Sequence, residues 1–136
     1  MSGKNSGISL ERFPVHLGLG GAMMSEPEFG RDMSWYMNYG ARHDADGADG
    51  RLVSVMPFTE SWGSWERHPV GGELVYCISG HMILHQEMAD GAIVTTELRP
   101  GDYAINPPGV WHTADISEPS RALFITAGMG TENRPR

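Results

Sequence analysis

The sequence predicts an all-β fold, a sandwich or a barrel, and three observations support this prediction. The 136 residues include 18 Gly and 9 Pro, a content typical of a chain with many tight turns. From Met33 onward, short apolar segments rich in β-branched and aromatic residues alternate with turn sequences. No segment shows the sustained periodicity of a long amphipathic helix. At this length we expect one domain with its own core.

In chain order, the predicted elements divide the chain into three parts. Residues 1–32 lack a strand pattern and are predicted to be an irregular arm. Residues 33–130 are predicted to form the barrel domain, and residues 131–136 a C-terminal tail. The predicted strands are MSWYMNY, RLVSVMPF, ELVYCIS, HMILHQE, AIVTTEL, DYAINP and RALFITA. The segment HDADGADG lacks the ligand positions of a calcium-binding loop and is predicted to be a solvated hairpin loop.

Composition argues against several classes of partner. The formal net charge of −7 would repel a polyanion, so a nucleic-acid partner is not expected. No stretch approaches the roughly 18 apolar residues of a membrane span, and the first residues lack the apolar core of a signal peptide. The single cysteine, Cys77, cannot form an intramolecular disulfide. We therefore expect a cytoplasmic protein without a membrane partner.

Two segments contain candidate metal ligands. Glu66 and His68 are two residues apart in an extended segment and share a face, and Glu73 begins the returning strand after the PVGG turn. His112 follows a Pro-Pro-Gly turn in GDYAINPPGVWH. If these strands line one barrel, His68, Glu73 and His112 can converge on one point. Two imidazoles and a carboxylate suit one divalent ion of Fe, Mn, Ni or Zn, with positions left open for water or substrate.

These segments resemble the two motifs of the cupin superfamily, G-x5-H-x-H-x(3,4)-E-x6-G and G-x5-P-x-G-x2-H-x3-N. The matching positions are Glu66-x-His68-x4-Glu73-x6-Gly80 and Gly101-x5-Pro107-x-Gly109-x2-His112. The resemblance covers roughly residues 50 to 127. It implies a small double-stranded β-helix, or jelly-roll, cupin barrel with a metal in its mouth. By this similarity, His68, Glu73 and His112 would be the metal ligands.

Two positions depart from the cupin motifs. Glu66 replaces the first histidine, and Ile116 replaces the closing asparagine, which makes the pocket floor more apolar. Glu66 has three interpretations: a fourth metal ligand, a catalytic general base that takes a proton from bound water or substrate, or an exposed carboxylate paired with a cation such as Arg67. A metal-free barrel, in which the histidines only form hydrogen bonds, is the alternative for the site as a whole.

Strand parity predicts the remaining pocket residues. Trp62 shares a face with Glu66, and Val75 and Cys77 share a face with Glu73. With Ile116, these residues are predicted to bind substrate, although plain core packing is the alternative for each.

The other face of the sheet is predicted to meet a second subunit. Trp65 and Trp111 should point to this opposite face, into sheet packing or a subunit contact. We expect a homodimer in which this face or N-terminal residues cover an exposed sheet. His16, His43 and His81 belong to no cluster that the sequence reveals.

The predicted function is that of a metal-dependent enzyme acting on a small organic molecule. Within the cupin resemblance, two histidines and one glutamate suggest Fe(II)-dependent dioxygenation of a substrate that chelates the metal through two oxygens. Lyase or isomerase chemistry at Zn(II) or Mn(II) would use the same ligands. The alternative is a non-catalytic module that binds or senses a small ligand, because fold does not determine function.

Overall fold

Turn residues break the apolar segments into short strands that pair antiparallel. The computed structural model describes residues 3–136, and in these residues it contains nine strands, one α-helix and two short 3₁₀ segments. The strands are β1 (Val15–Leu17), β2 (Met23–Ser25), β3 (Arg51–Phe58), β4 (Ser64–Arg67), β5 (Glu73–Glu87), β6 (Ile93–Leu98), β7 (Tyr103–Asn106), β8 (Trp111–Thr126) and β9 (Glu132–Pro135). The helix is α1 (Met33–His43), and the 3₁₀ segments are Leu19–Gly21 and Asp44–Asp49.

The long strands β5 and β8 pair with each other and organise the jelly roll. The first half of β5 also pairs with β7, and its second half pairs with β6. At the other side, β8 pairs with β3 and β4. The register of β5 against β8 shifts between Cys77 and Met82, around Gly80. Gly80 has a φ of 83°, and an added Cβ would lie 2.5 Å from the carbonyl oxygen of Pro119, so only glycine fits this bend.

The predicted all-β jelly-roll fold is confirmed, although the sheet does not close into a complete barrel. Its interior is a cluster of buried apolar side chains on β5, β6 and β8. These are Val75, Cys77, Met82, Leu84, Leu98, Ala114, Ile116, Ala122 and Phe124. Alternation of inward and outward side chains along each strand places these residues on one face.

The pairing register aligns polar residues across the sheet. One row of paired residues crosses β1, β3, β8, β5 and β7 in that order. Its members are His16, Leu52, Thr126, Glu73 and Asn106, and all but Leu52 are polar. A second row joins Glu66 of β4 to His112 of β8 and Gln86 of β5. Because paired residues project to the same face, the two rows bring the candidate ligands to the same end of the interior.

The strand predicted for MSWYMNY is wrong, because these residues begin helix α1. The Asp32 side chain caps the helix by accepting a hydrogen bond from the backbone N–H of Trp35 at 2.8 Å. Trp35 and Tyr39 lie one helical turn apart and stack with ring centroids 5.7 Å apart. The Trp35 ring also packs with Phe29 and Leu52 in a second core cluster. Aromatic content favoured a strand, but the i, i+4 spacing suits packing of one helix face.

Three other predicted irregular segments contain regular structure. Within residues 1–32, β1 and β2 pair with each other, and β1 also pairs with β3; Met1 and Ser2 lie outside the described residues. The predicted tail contains β9, which pairs with β4. The predicted hairpin loop in HDADGADG is the end of α1 and a 3₁₀ segment. Such short elements carry too few residues for periodicity to reveal them. Within residues 3–136, no helix is long and apolar enough to span a membrane.

Candidate metal centre

The structure brings Glu66, His68, Glu73 and His112 together at one end of the jelly roll. One ligand atom from each lies within 4.8 Å of those from the others. Nε2 of His68 lies 3.0 Å from Oε1 of Glu66 and 3.1 Å from Oε2 of Glu73, and Nε2 of His112 lies 3.1 Å from Oε1 of Glu73. The side chains of His68, Glu73 and His112 are at most 5% exposed. The short turn between β4 and β5 and the pairing of both strands with β8 produce this convergence.

Both histidines direct an unpartnered nitrogen toward the carboxylates. The Nε2 atoms of His68 and His112 are buried, and their contacts to Glu66 and Glu73 do not meet hydrogen-bond geometry, so neither has such a partner among residues 3–136. Nδ1–H of His112 donates to the carbonyl of Val110 at 3.2 Å. Such a bond leaves the lone pair on Nε2, which is the arrangement of a metal-ligating histidine.

A neighbouring hydroxyl determines that Nδ1 of His68 carries a hydrogen. Nδ1 of His68 lies 2.8 Å from Oγ1 of Thr131, and that hydroxyl donates its own hydrogen to the carbonyl of Gly128 at 2.7 Å. Thr131 therefore accepts from Nδ1–H of His68, and Nε2 is left to bind a ligand. Two buried imidazoles with free lone pairs and a buried carboxylate fit a divalent transition metal.

Glu73 is oriented by donors on both oxygens. The Asn106 side-chain amide donates to Oε1 at 3.1 Å, and the Thr126 hydroxyl donates to Oε2 at 2.6 Å. Gln86 in turn donates to Oδ1 of Asn106 at 2.8 Å. Burial favours a higher pKa for Glu73, but His112 and His68 outweigh burial, and its pKa lies far below its usual value. Glu73 is therefore a fixed, ionised ligand candidate.

Glu66 occupies the more open side of the cluster. Its side chain is 33% exposed, whereas that of Glu73 is 5% exposed. Burial acts to lower the pKa of His68, but the two nearby carboxylates of Glu66 and Glu73 outweigh burial and raise it to about 9. In the absence of metal, the two carboxylates thus hold a proton on His68, and a metal ion would compete with that proton.

The four predicted substrate-binding residues all lie in or against the main apolar core. Val75 and Cys77 are completely buried, and Ile116 is 8% exposed. Burial raises the pKa of the Cys77 thiol, which makes the thiol less reactive. Trp62 packs against this core, and its ring centroid lies 6.1 Å from that of His112. Of the four residues, Trp62 is therefore the one whose side chain packs against a candidate metal ligand.

Trp65 and Trp111 lie on the outer face of the sheet, beside arginines. The guanidinium of Arg134 lies over both indole rings, at 5.2 Å from Trp65 and 4.6 Å from Trp111. Arg67 lies 4.5 Å from the Trp111 ring and also pairs with Glu132. These cation–π contacts account for the outward-facing tryptophans within the chain.

A second polar cluster, which the sequence did not reveal, joins the N-terminal segment to the sheet. His16, His43 and Asp46 bring possible ligand atoms within 4.8 Å of one another. However, His16 already bonds Tyr39 at 2.6 Å through Nδ1 and Asp46 at 2.7 Å through Nε2. The rings of His16 and His43 stack with centroids 3.7 Å apart. Because both nitrogens of His16 have partners, this cluster fits a structural network better than a metal site.

The carboxylates of the candidate metal centre also affect the pKa of Tyr36 on helix α1. Burial raises the pKa of Tyr36 to about 12, and the charges of Glu66 and Glu73 add to this increase against the opposing effect of Arg31. Tyr36 packs edge-on against Phe29. Tyr36 therefore remains a neutral phenol at neutral pH.

The family model for the cupin domain matches residues 51–127, which is more than half of the chain. The chain belongs to the cupin family. The match begins at β3 and ends just after β8, so it includes all four residues of the candidate metal centre and leaves out β1, β2, helix α1 and β9. No curated protein is significantly similar in sequence to this cupin.

Solved structures share the jelly roll of this cupin at low sequence identity. An uncharacterised conserved protein with a double-stranded β-helix domain from Klebsiella pneumoniae is 27% identical, with a TM-score of 0.52, over 63% of this chain and 76% of that one. Oxalate decarboxylase from Lactobacillus farciminis, in a formate complex, is 16% identical, with a TM-score of 0.54, over 62% and 26%. Hydroquinone 1,2-dioxygenase from Sphingomonas sp., with 4-hydroxybenzoate bound, is 17% identical, with a TM-score of 0.47, over 56% and 59%. The chain thus spans less than two thirds of either named enzyme chain.

Proposed function

We propose that this cupin holds one divalent transition metal ion through His68, Glu73 and His112 and acts as an enzyme on a small organic molecule. The observation that supports this proposal most directly is the pair of buried Nε2 atoms of His68 and His112, which have no hydrogen-bond partner and face the carboxylate of Glu73. Burying two such nitrogens beside a carboxylate is costly unless a ligand satisfies them. A bound cation is the partner that suits two lone pairs and a carboxylate together.

The donor set indicates the reaction class. Two histidines and one carboxylate are the ligands of non-haem Fe(II) oxygenases, and such a metal supplies Lewis acidity and, when it is redox-active, reaction with oxygen. We favour dioxygenation of a substrate that chelates through two oxygens. Lyase or isomerase chemistry at Zn(II) or Mn(II) would use the same residues. The buried core around Val75 and Ile116 excludes water from one side of the reacting molecule.

Glu66 is proposed to act on protons at the mouth of the site. Its partial exposure lets it exchange a proton with solvent, while Oε1 stays 3.0 Å from the ligand nitrogen of His68. A carboxylate in this position can take a proton from bound water or substrate. Its negative charge also disfavours anions, so we propose a neutral or weakly acidic, partly aromatic or apolar substrate.

Metal content after purification without chelating resin tests the proposal. We expect close to one transition metal ion per chain, and we expect His112→Ala to lose that metal while the fold is retained. His85→Ala is the matched control, because His85 bonds Asp115 and Thr95 at the surface and lies outside the cluster. Equal metal content in both variants would contradict the ligand assignment. Oxygen uptake by Fe(II)-loaded protein with candidate chelating substrates then separates dioxygenation from lyase or isomerase chemistry.

A non-catalytic module that binds a small ligand is the alternative. One observation favours it: a cleft of about 560 Å³ lies away from the four ligand residues, between the N-terminal segment and the turn after β4. Its lining includes Gly18, Arg51, Gly71 and Ala127. Binding of a small molecule that persists in His112→Ala and is lost in Arg51→Ala would support this alternative.

We further propose that this cupin is a cytoplasmic homodimer. The single cysteine suits a reducing compartment. Exposed apolar side chains on the N-terminal segment, including Met23, Met33 and Met37, support an interface on that side. We expect light scattering at micromolar concentration to give twice the chain mass. Met23→Lys combined with Met37→Lys should shift the protein to the monomer, whereas a monomeric native chain would reject the proposal.

A further inference from the structure

A buried hydrogen-bond donor beside the metal centre lacks a partner. Nε1 of Trp62 is buried and has no hydrogen-bond partner among residues 3–136. Three other buried side-chain atoms share this property: Nε2 of His68, Nε2 of His112 and Nε of Arg67. The first two belong to the metal centre. Nε of Arg67 lies on the outer face, where the guanidinium stacks over Trp111 and bonds Glu132.

The position of Trp62 is well defined by its surroundings. Its ring lies 6.1 Å from the His112 ring at an angle of 65°, and it also packs against Phe58 and Phe124. The backbone N–H of Trp62 donates to the carbonyl of Ala114 at 2.9 Å, and its carbonyl accepts from Arg136 at 3.1 Å. The indole is thus held against the interior beside a metal ligand.

The unpartnered indole differs from the other buried tryptophan. Nε1 of Trp35, in the N-terminal segment, donates to the carbonyl of Glu28 at 2.9 Å. Buried N–H groups in native proteins almost always have such a partner, because a lost hydrogen bond to water is otherwise not replaced. The indole N–H donates only and cannot bind a metal. The missing partner is therefore an acceptor atom of a bound water or of a bound ligand.

We propose that Nε1–H of Trp62 donates a hydrogen bond to a substrate oxygen that the metal does not bind. This inference rests on the proposed function and narrows the substrate class. The substrate would present two oxygens for chelation and a further carbonyl or carboxylate oxygen turned toward the indole. A molecule with only the two chelating oxygens would leave Trp62 without a partner and bind less well.

Nuclear magnetic resonance of the indole N–H groups tests this inference directly. The chain has four tryptophans, so Zn(II)-loaded protein labelled with ¹⁵N-Trp gives four indole signals, and Trp62→Phe identifies that of Trp62. Oxalate and catechol are the probes, because both chelate through two oxygens but only oxalate has further oxygens. The charge of Glu66 weakens oxalate binding, so oxalate is used at saturating concentration. Binding of each probe is followed independently by the visible spectrum of Co(II)-loaded protein.

We expect saturating oxalate to move the Trp62 signal downfield, while catechol leaves it in place and the Trp35 signal is unchanged by both. Trp62→Phe should weaken oxalate binding about tenfold relative to catechol binding, the loss of one hydrogen bond. A packing defect caused by the smaller ring would weaken the binding of both probes, so the ratio of the two affinities isolates the loss of the hydrogen bond. If oxalate binds the Co(II)-loaded protein but the Trp62 signal stays, or the ratio is unchanged, the inference is overturned while the metal centre stands. Failure to bind Zn(II) and Co(II) would instead overturn the proposed function.

Discussion

At the scale of single residues, the metal centre depends on which nitrogen of each histidine carries the proton. Val110 supplies a backbone carbonyl to His112, and a carbonyl cannot be removed by substitution. Thr131 supplies a side-chain oxygen to His68. Partners of this kind orient a ligand ring and raise its basicity, so their loss weakens metal binding without removing a ligand. Substitution of Thr131 therefore tests whether the hydrogen bond to Nδ1 of His68 supports metal binding.

Thr131→Val should lower the affinity for Zn(II) about 10- to 100-fold while leaving the fold intact. The substitution keeps the side-chain shape but removes the oxygen that accepts from Nδ1–H of His68. Competition with a chromophoric chelator measures the change. Thr95→Val is the matched control, because Thr95 bonds Nδ1 of His85 at 3.0 Å on the exposed surface. Equal affinities for the two variants would show that Thr131 has no role in metal binding.

Glu66→Gln should lower turnover and strengthen the binding of small anions. The substitution removes one negative charge within about 4 Å of the ion, an interaction of several kcal/mol at an effective dielectric near 20. Acetate affinity, followed in the spectrum of Co(II)-loaded protein, is the measurement. Glu132→Gln provides a control, because Glu132 pairs with Arg67 on the outer face. Unchanged anion affinity and intact activity in Glu66→Gln would make Glu66 a bystander.

At the scale of elements, the N-terminal segment is a cap fixed to the sheet by polar contacts. His16 on β1 is 1% exposed and joins Tyr39 of α1 to Asp46 of the following 3₁₀ segment. Glu26 accepts from Arg42 and contacts Nε2 of His43, both at 2.9 Å. A row of register partners runs from His16 through Leu52 and Thr126 to Glu73, so three strand pairings connect the cap to the candidate metal centre.

His16→Phe should lower the free energy of unfolding by about 2–4 kcal/mol. The substitution leaves the Tyr39 hydroxyl and the Asp46 carboxylate without their partner, at about 1–2 kcal/mol for each, because the Asp46 side chain is 25% exposed and part of the loss is made up by water. Urea unfolding measures the loss. In the control His85→Phe, the contacts removed are at the surface, so the change should stay within about 0.5 kcal/mol. Similar losses in both variants would contradict a structural role for the His16 network.

At the scale of the whole molecule, protonation of His68 links pH to stability in the metal-free protein. The pKa of His68 is about 9 in the fold, against an ordinary value of 6.5. A raised pKa stabilises the fold fully below about pH 6.5, and this contribution is lost as the pH rises through about 9. The depressed pKa of Glu73 contributes at all pH values above 4.5, so it does not change over this range.

Metal-free protein should therefore lose stability between pH 6.5 and about 9.5, by at most on the order of 3 kcal/mol. Urea unfolding at the two pH values measures the loss. His68→Gln, which cannot titrate, should show less dependence on pH over this range. Zn(II)-loaded protein should show the opposite trend, because metal binding requires the deprotonated ring. A metal-free protein as stable at pH 9.5 as at 6.5 would contradict the linkage.

The sequence by itself determined an all-β fold, and its resemblance to the cupin motifs added the jelly roll and the candidate ligands. Glu66 and His68 share a face by strand parity, and Glu73 begins the next strand after a short turn. However, β4 and β5 do not pair with each other as a hairpin, and each pairs with β8 instead. His112 lies in a second motif whose internal spacing matches that of a known family. Apolar segments bounded by clear turns likewise predicted β3, β6 and β7. They predicted β5 as two strands, ELVYCIS and HMILHQE, and only the C-terminal part of β8, RALFITA.

Only the tertiary structure decided how the site is completed. Thr131 meets His68 across 63 positions of sequence, and Asp46 meets His16 across 30. The unpartnered N–H of Trp62 is visible only once all its neighbours are placed. Helix α1 forms where aromatic content favoured a strand, because Trp35 and Tyr39 gain more by packing one helix face on Phe29 and Leu52. Local sequence restricts backbone geometry over a few residues, whereas burial and hydrogen-bond partners depend on contacts between distant segments.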